Sequence, residues 1–217
     1  MKSRIALLVP ALALVFAAHA SAQLRQGTVE INGFGGWLFG GEIAHAHDIV
    51  TGDFDHDHNH VDVGDDAAYG GRIGYNITSL IEVESEYSRT ETNFVLRPHN
   101  LPDRNLGDLT VEYFMAYCTF NFGHHRVVPF FTVGAGAARL DPKLPGTFAE
   151  SDVRFTSAVG SGVKIFFCPW FAMRFDARFY STWLGDNSRV FCDTNNFCDT
   201  RNWVGNVTTT GGFVFAF

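Results

Sequence analysis

Apolar residues along most of this chain recur at every second position, in segments of about ten to fifteen residues. A period of two is the spacing of side chains on one face of a β-strand. Beyond the N-terminal leader, no stretch has the roughly 18 consecutive apolar residues that a membrane-spanning helix needs. The pattern predicts an all-β protein with strands at about 27–39, 66–76, 79–90, 109–122, 127–140, 152–167, 170–183 and 202–217.

The predicted connections alternate between short and long. Short turns fall at 77–78, 123–126 and 168–170, and long polar connections fall at about 40–65, 91–108, 141–151 and 184–201. Transmembrane barrels have short turns on the periplasmic side and long loops outside, whereas a soluble barrel has no need to sort its turns in this way. The connections therefore favour a barrel that spans a membrane, with its polar faces turned inward and its apolar faces turned toward lipid.

An N-terminal leader sets the compartment. Lys2 and Arg4 precede an apolar run at 5–18, and small residues at 20–22 form a cleavage signature, so residues 1–22 are predicted to be a secretory signal peptide. The mature chain, 23–217, then forms one barrel domain. Removing the two basic residues takes the formal net charge from −7 to about −9, which does not suit binding to nucleic acid.

These features together predict an eight-stranded, antiparallel, up-and-down transmembrane β-barrel. Closure is required because an open sheet edge in hydrocarbon leaves backbone N–H and C=O groups unpaired, at several kcal/mol each. Eight strands enclose an interior that side chains can fill. Inward glycines such as Gly134 and Gly162 nevertheless leave a narrow pore as an alternative.

Seven charged residues share the polar faces of three predicted strands. The strands at 79–90 and 170–183 lie opposite one another in an eight-stranded ring, so long Arg and Glu side chains can meet across it. A catalytic acid/base cluster is the alternative, but buried charges persist in proteins mainly when they are paired. The predicted ion-pair network comprises Arg72, Glu82, Glu84, Glu86, Arg174, Asp176 and Arg178.

The chain ends in "GGFVFAF", and its last strands contain "AVGSGVKIF" and "MRFDARFY". In these motifs the whole mature chain resembles the small eight-stranded outer-membrane barrels of Gram-negative bacteria, the outer membrane protein A-type transmembrane domain among them. The resemblance implies that Phe217, the terminal aromatic residue, contributes to recognition by the barrel-assembly machinery. The chain lacks the C-terminal peptidoglycan-binding domain of two-domain members, so a cell-wall tether is not expected.

The first long connection, 40–65, is rich in histidine and aspartate and contains no Lys or Arg. Imidazole suits zinc, nickel and copper, whereas carboxylates suit calcium and magnesium. An exposed acidic loop without a metal is the alternative, because histidine-rich tracts are assigned mainly by composition. No cofactor is required for the predicted fold. The candidate ligands for Zn²⁺ or Ca²⁺ are His45, His47, Asp55, His56, Asp57, His58 and His60.

Four cysteines fall into two groups. Cys192 and Cys198 share one external connection, and the oxidising envelope predicts a disulfide between them, with a Cys-His metal site as the alternative. Cys118 and Cys168 lie near the periplasmic end of strands that are not neighbours. We expect both to be free, with Cys118 facing lipid and Cys168 in a turn.

Three classes of function remain open: a structural or adhesive barrel, a narrow pore, and an enzyme that modifies lipid A. We expect no enzymatic activity, because no histidine falls within a predicted strand and the chain has no G-x-S-x-G elbow. A structural or surface-interaction role is favoured, with the external loops as the binding surface. The expected partners are outer-membrane lipid, lipopolysaccharide and an extracellular ligand that the sequence does not name.

Overall fold

A computed structural model of the protein describes residues 26–45, 60–97, 104–123, 126–143, 151–184 and 203–217. Within these ranges the chain forms ten strands, and no helix there is long and apolar enough to cross a membrane. The strands are β1 (Val29–Phe39), β2 (Glu42–His45), β3 (His60–Val63), β4 (Asp66–Asn76), β5 (Ile81–Arg97), β6 (Arg104–Asn121), β7 (Val127–Lys143), β8 (Asp152–Cys168), β9 (Phe171–Trp183) and β10 (Trp203–Ala216).

Eight of the strands form a closed antiparallel ring. Its order is β5, β4, β1, β10, β9, β8, β7 and β6, and β6 pairs again with β5. The first and last strands are neighbours in the ring, because β1 pairs with β10 and the amide of Phe217 donates to the carbonyl oxygen of Val29 at 2.9 Å. The predicted eight-stranded up-and-down barrel is confirmed.

The two remaining strands, β2 and β3, correct the prediction that 40–65 is one long loop. β2 pairs with β3, and β3 continues the sheet along the external end of β5, from His60 opposite Arg97 to Val63 opposite Phe94. The connections predicted at 91–108 and 141–151 are also too long, since β5, β6 and β7 extend into them. These segments lack a clear apolar alternation, and their strands are formed by backbone pairing with neighbours, which periodicity does not detect.

The periplasmic turns are short for local reasons. The Thr78 hydroxyl oxygen accepts hydrogen bonds from the amides of Leu80 and Ile81, at 3.1 and 2.9 Å, and so closes the turn between β4 and β5. Gly123, after β6, has a φ of +132°, a conformation that L side chains rarely adopt. The turn between β8 and β9 contains only two residues, 169 and 170.

Burial shows that the barrel is inverted relative to a soluble protein. Polar side chains fill the lumen: Arg178 is 1% exposed. Apolar side chains cover the outside: Phe213 is 52% exposed. Large outward aromatic residues lie near both ends of the barrel, as in the interfacial girdles of outer-membrane barrels. They include Trp37, Phe39, Trp183 and Trp203 at the external end, and Tyr75, Phe122, Trp170 and Phe215 at the periplasmic end.

The apolar outer surface gives way to charged residues toward the external end of β5, β6 and β7. Glu112 accepts a 2.7 Å hydrogen bond from the Tyr87 hydroxyl and lies between Arg89 and Arg139, 3.5 and 3.7 Å from their guanidinium nitrogens. A membrane strand needs about 9–11 residues, whereas β5 has 17 residues and β6 has 18. These strands therefore extend beyond the hydrocarbon on the external side.

Replacement of an outward residue by arginine tests this orientation. Phe175, near the middle of β9 and 43% exposed, faces hydrocarbon. We expect Phe175→Arg to lower the free energy of unfolding by about 2–4 kcal/mol, as charged substitutions do at a bilayer midplane. The matched variant Trp183→Arg, at the external end of the same strand, should cost about 0–1 kcal/mol. Reversible urea unfolding in lipid vesicles measures both, and equal costs would contradict the assignment of the lipid-facing surface.

Candidate functional site

The centre of the lumen holds nine charged side chains, each no more than 6% exposed. They come from five strands, β1, β4, β5, β8 and β9. The alternation of each strand turns every second residue inward, so the polar face of each strand contributes to one cluster. The carboxylates are Glu30, Glu82, Glu84, Glu86 and Asp176, and the cations are Arg72, Lys164, Arg174 and Arg178.

Ion pairs between β5 and β9 cross the lumen. These strands are four positions apart in either direction around the ring, so they face each other across its widest distance. Glu84 accepts from Arg174 Nη1 at 3.0 Å and from Arg178 Nη2 at 3.3 Å. Arg178 Nη1 also donates to Glu86 Oε2 at 2.7 Å. The pairs therefore brace opposite walls of the barrel.

Asp176 lies at the centre of the cluster. Its carboxylate accepts two hydrogen bonds from the Arg72 guanidinium, at 3.0 and 3.2 Å, a bidentate arrangement that fixes both groups. It also accepts from Arg174 Nε at 3.1 Å and from Arg178 Nε at 3.2 Å. Arg72 further pairs with Glu86. The structure thus brings all seven predicted network residues together in the lumen.

The sequence-based set omitted two members, Glu30 and Lys164. The Lys164 ammonium donates to Glu30 and to Glu82 at 2.6 Å each, near the periplasmic end. Both omitted residues lie on the polar faces of alternating strands, in "VEINGFGGWLF" and "DVRFTSAVGSGVKIFFC". Strand parity alone would have placed them inside the barrel, but it could not identify their partners, which belong to distant strands.

Three arginines of the network stack on aromatic rings that lie against glycines of the barrel wall. The guanidinium carbon of Arg72 lies 3.8 Å from the ring centroid of Phe34. The corresponding distances are 4.2 Å for Arg174 and Phe130, and 4.1 Å for Arg178 and Tyr117. The close approach depends on glycine at the wall. A Cβ at Gly70 would lie within 2.8 Å of an atom of the Phe34 ring. The same limit holds for a Cβ at Gly162 and the Phe130 ring, and for a Cβ at Gly134 and the Tyr117 ring.

Apolar layers close the lumen above and below the charges. On the external side, the rings of Tyr113 and Tyr180 stack with centroids 4.4 Å apart within a buried apolar cluster that also contains Leu38 and Leu109. The Tyr180 hydroxyl donates to Glu86 at 2.7 Å, which joins this cluster to the charged layer. On the periplasmic side, the residues Val128, Phe166, Ala172 and Val214 form a second buried cluster.

The charges among the described lumen residues do not balance, because five carboxylates face four cations. Among the described lumen residues, Thr208 Oγ1 and Arg174 Nη2 lack a hydrogen-bond partner, and so do three carboxylate or amide oxygen atoms: Glu82 Oε1, Asn76 Oδ1 and Asn121 Oδ1. All three belong to adjacent strands, β4, β5 and β6. Glu82 is therefore the carboxylate that the network satisfies least, whereas both oxygens of Glu84 and Glu86 accept hydrogen bonds.

The predicted metal ligands are described only in part. His47, Asp55, His56, Asp57 and His58 lie outside the described residues. His45 ends β2 and His60 begins β3, and the register of this strand pair sets the two residues directly opposite each other. Both had been assigned to the predicted loop 40–65, so histidine was absent from the predicted strands but is present in the observed strands β2 and β3. In the part of the chain that the structure describes, no group of three or more His, Cys, Asp and Glu residues forms a metal site.

The other predicted residues are distributed between the two ends. Cys192 and Cys198 lie outside the described residues. Cys118 and Cys168 are both free thiols and are partly exposed, Cys118 on the outward face of β6 and Cys168 at the last position of β8. Phe217 is 76% exposed at the periplasmic end of the barrel.

Comparison with known proteins agrees with this geometry. A family model described as the outer membrane protein beta-barrel domain matches residues 8–208. The chain is similar to the crystal structure of the outer membrane protein OprG from Pseudomonas aeruginosa, with a TM-score of 0.60 and 14% identity over 90% of this chain and 98% of OprG. No curated protein sequence matches the chain.

Two further solved structures share the fold. Neisserial surface protein A has a TM-score of 0.55 and 15% identity, and the match covers 88% of this chain and 100% of that protein. The outer membrane protein AlkL in lipid bilayers has a TM-score of 0.54 and 14% identity, with 90% and 92% covered. At these identities the similarity concerns the fold alone.

Replacing two of the lumen carboxylates by neutral amides should lower the free energy of unfolding by different amounts. Glu84→Gln leaves the buried Arg174 and Arg178 short of a counter-charge, so we expect a loss of about 3 kcal/mol in unfolding free energy. Glu82→Gln removes a carboxylate with one unpartnered oxygen, leaves Lys164 paired with Glu30, and should cost less than about 1 kcal/mol. Urea unfolding followed by tryptophan fluorescence measures both variants. Equal destabilisation of the two would overturn this charge assignment.

Proposed function

The chain belongs to the outer membrane protein β-barrel family, and from that premise we propose that it is a closed scaffold whose external end binds ligands. Family membership confirms the resemblance found in the last strands and places the protein in the outer membrane. The observation that supports a scaffold is the filled lumen. Three successive layers of side chains, apolar, charged and apolar, occupy the described interior.

A filled lumen favours a structural or surface-interaction role over a narrow pore. The inward glycines that made a pore conceivable do not widen the lumen, because the rings of Phe34, Phe130 and Tyr117 occupy the adjacent space. The ion pairs would have to separate before a solute could pass, and each broken buried pair costs several kcal/mol. The charged cluster is explained by these pairs, and we propose no enzymatic role for it.

The external end of the barrel extends beyond the membrane. β5, β6, β7 and β8 have 17 or 18 residues each, several more than a bilayer requires. β2 and β3 add a further hairpin next to the end of β5. A rigid sheet that carries variable loops is a common arrangement for binding surfaces. We propose that an extracellular ligand, which the sequence does not identify, binds here.

We further propose that the first external segment binds a divalent metal. The supporting observation is the backbone register of β2 and β3, which sets His45 and His60 directly opposite each other. The segment between them contains the other candidate ligands, His47, Asp55, His56, Asp57 and His58. Imidazole nitrogen suits zinc, whereas calcium would rely on the aspartates.

Three expectations from the sequence accompany this proposal. A disulfide between Cys192 and Cys198 would fix the shape of the last external loop. Lipopolysaccharide would surround the acidic external end, where divalent cations would relieve charge repulsion. The exposed terminal Phe217 would serve recognition by the barrel-assembly machinery. The signal peptide, residues 1–22, likewise remains a prediction.

Zinc binding can be tested by calorimetric titration of the refolded barrel in detergent. We expect stoichiometric zinc binding, weakened by more than about tenfold in a variant with both His45→Ser and His60→Ser, because two ligands are lost. The control His99→Ser removes a histidine from a different external connection and should bind as the parent does. Calcium titrated in parallel should be insensitive to the histidine changes. Zinc binding that is unchanged in the double variant would exclude this pair as ligands.

Conductance tests the scaffold itself. Planar bilayer recordings of the purified barrel should show no discrete current steps, because the described lumen is filled and its charges are paired. A general porin recorded in the same membrane serves as the positive control. Reproducible steps from the folded protein would refute the closed scaffold and restore the narrow pore.

A further inference from the structure

A groove of about 350 Å³ lies on the outer surface at the periplasmic rim. Arg126, just before β7, forms one side, and the junction of β8 and β9 forms the other. The Phe166 amide donates to the Arg126 carbonyl oxygen at 2.8 Å, which holds this residue beside β8. The lining residues are Arg126, Phe167, Cys168, Trp170, Phe171 and Met173.

Strand alternation turns this groove toward the membrane. Phe166 and Ala172 are buried inside the lumen, so the adjacent Phe167, Phe171 and Met173 lie on the outward faces of β8 and β9. Trp170, in the turn between them, is 59% exposed, as expected for an aromatic residue at a membrane interface. The groove therefore opens onto the boundary between hydrocarbon and headgroups of the periplasmic leaflet.

The aromatic wall of the groove is held in place by neighbouring rings. Phe171 stacks on Phe213 with ring centroids 5.8 Å apart, and it lies 5.3 Å from Phe215 on β10. Phe167 and Trp170 lie 5.8 and 5.9 Å from the same ring. The apolar surface is thus preformed and continuous across β8, β9 and β10.

Among the described residues that line the groove, Arg126 is the one that carries a charge, and it is exposed. Among the described residues, no carboxylate forms an ion pair with it. The outward arginines at the opposite end differ, because Arg89 and Arg139 both lie beside Glu112. A guanidinium that pairs with no described carboxylate, next to an apolar groove, complements a ligand with an anionic head and a hydrocarbon tail.

We propose that this groove is a binding site for an anionic phospholipid of the periplasmic leaflet. The phosphate of the lipid accepts hydrogen bonds from the Arg126 guanidinium, because the planar fork of guanidinium donors matches the geometry of phosphate oxygens. One acyl chain lies in the groove against Phe167, Phe171 and Met173. The site fixes the depth of the periplasmic rim in the membrane, and it is independent of ligand binding at the external end.

The first test counts lipids that remain on the protein. Native mass spectrometry of the barrel, released from micelles doped with phosphatidylglycerol, should show one retained lipid. Arg126→Ala should weaken this retention by about tenfold, as expected for loss of a charge-assisted hydrogen bond. The matched control Arg139→Ala, which removes an outward arginine at the opposite end, should retain phosphatidylglycerol like the parent. Equal loss in both variants, or none in either, would overturn the proposal.

A second arm distinguishes the phospholipid from a free phosphate. Inorganic phosphate at the same concentration should not displace phosphatidylglycerol, because it cannot occupy the apolar groove. Met173→Trp should fill the groove while keeping Arg126, and so should abolish lipid retention in barrels shown to be folded by their heat-dependent gel mobility. Displacement by inorganic phosphate, or retention in the Met173→Trp variant, would show that the groove does not hold the acyl chain and would refute the proposal.

The native cysteines provide an independent readout. Cys168 lines the groove, whereas Cys118 faces outward on β6 and serves as an internal reference. Phosphatidylglycerol should slow maleimide labelling of Cys168 relative to Cys118 by more than about fivefold, and phosphatidylcholine should do so less. In the Arg126→Ala variant, phosphatidylglycerol and phosphatidylcholine should slow the labelling of Cys168 to the same extent. An unchanged labelling ratio in the parent protein would contradict occupation of the groove.

Discussion

In hydrocarbon, every backbone N–H and C=O must find a partner within the protein, because no water is available to supply one. The ring of eight strands meets this requirement by pairing β6 with β5 and β10 with β1, so that no edge is left in the membrane. Closure at eight strands fixes a narrow interior. That interior must be filled by side chains, and the inverted alternation of the strands makes most of them polar.

Charges buried inside a narrow lumen are stable only when they are paired. Asp176 accepts from three arginines, and Glu84 and Glu86 accept from Arg178 across the lumen. The aromatic rings beneath the arginines use the space that wall glycines leave free. The same contacts that offset the cost of burial therefore also close the lumen. These contacts are the basis of the closed scaffold that we propose.

The two ends of the barrel carry different chemistry for one geometric reason. Periplasmic turns are short, so the rim there consists of strand ends and aromatic residues, with the groove beside Arg126 among them. At the external end the strands continue past the hydrocarbon, and charged residues such as Glu112 appear on their outward faces. The lipid site that we propose at one rim, and the ligand and metal binding that we propose at the other, both rest on this asymmetry.

Periodicity determined the eight strands of the barrel, the polar and apolar face of each, and seven of the nine charged residues of the lumen, because a period of two encodes which face of a strand a residue occupies. The spacing of the turns determined the orientation. Only the tertiary structure decided the partners: Lys164 joins Glu30 and Glu82 through strand pairings that no local pattern records. Tertiary structure also decided that β2 and β3 extend the sheet, and that His45 lies opposite His60, since backbone pairing formed these strands where the sequence shows no apolar alternation.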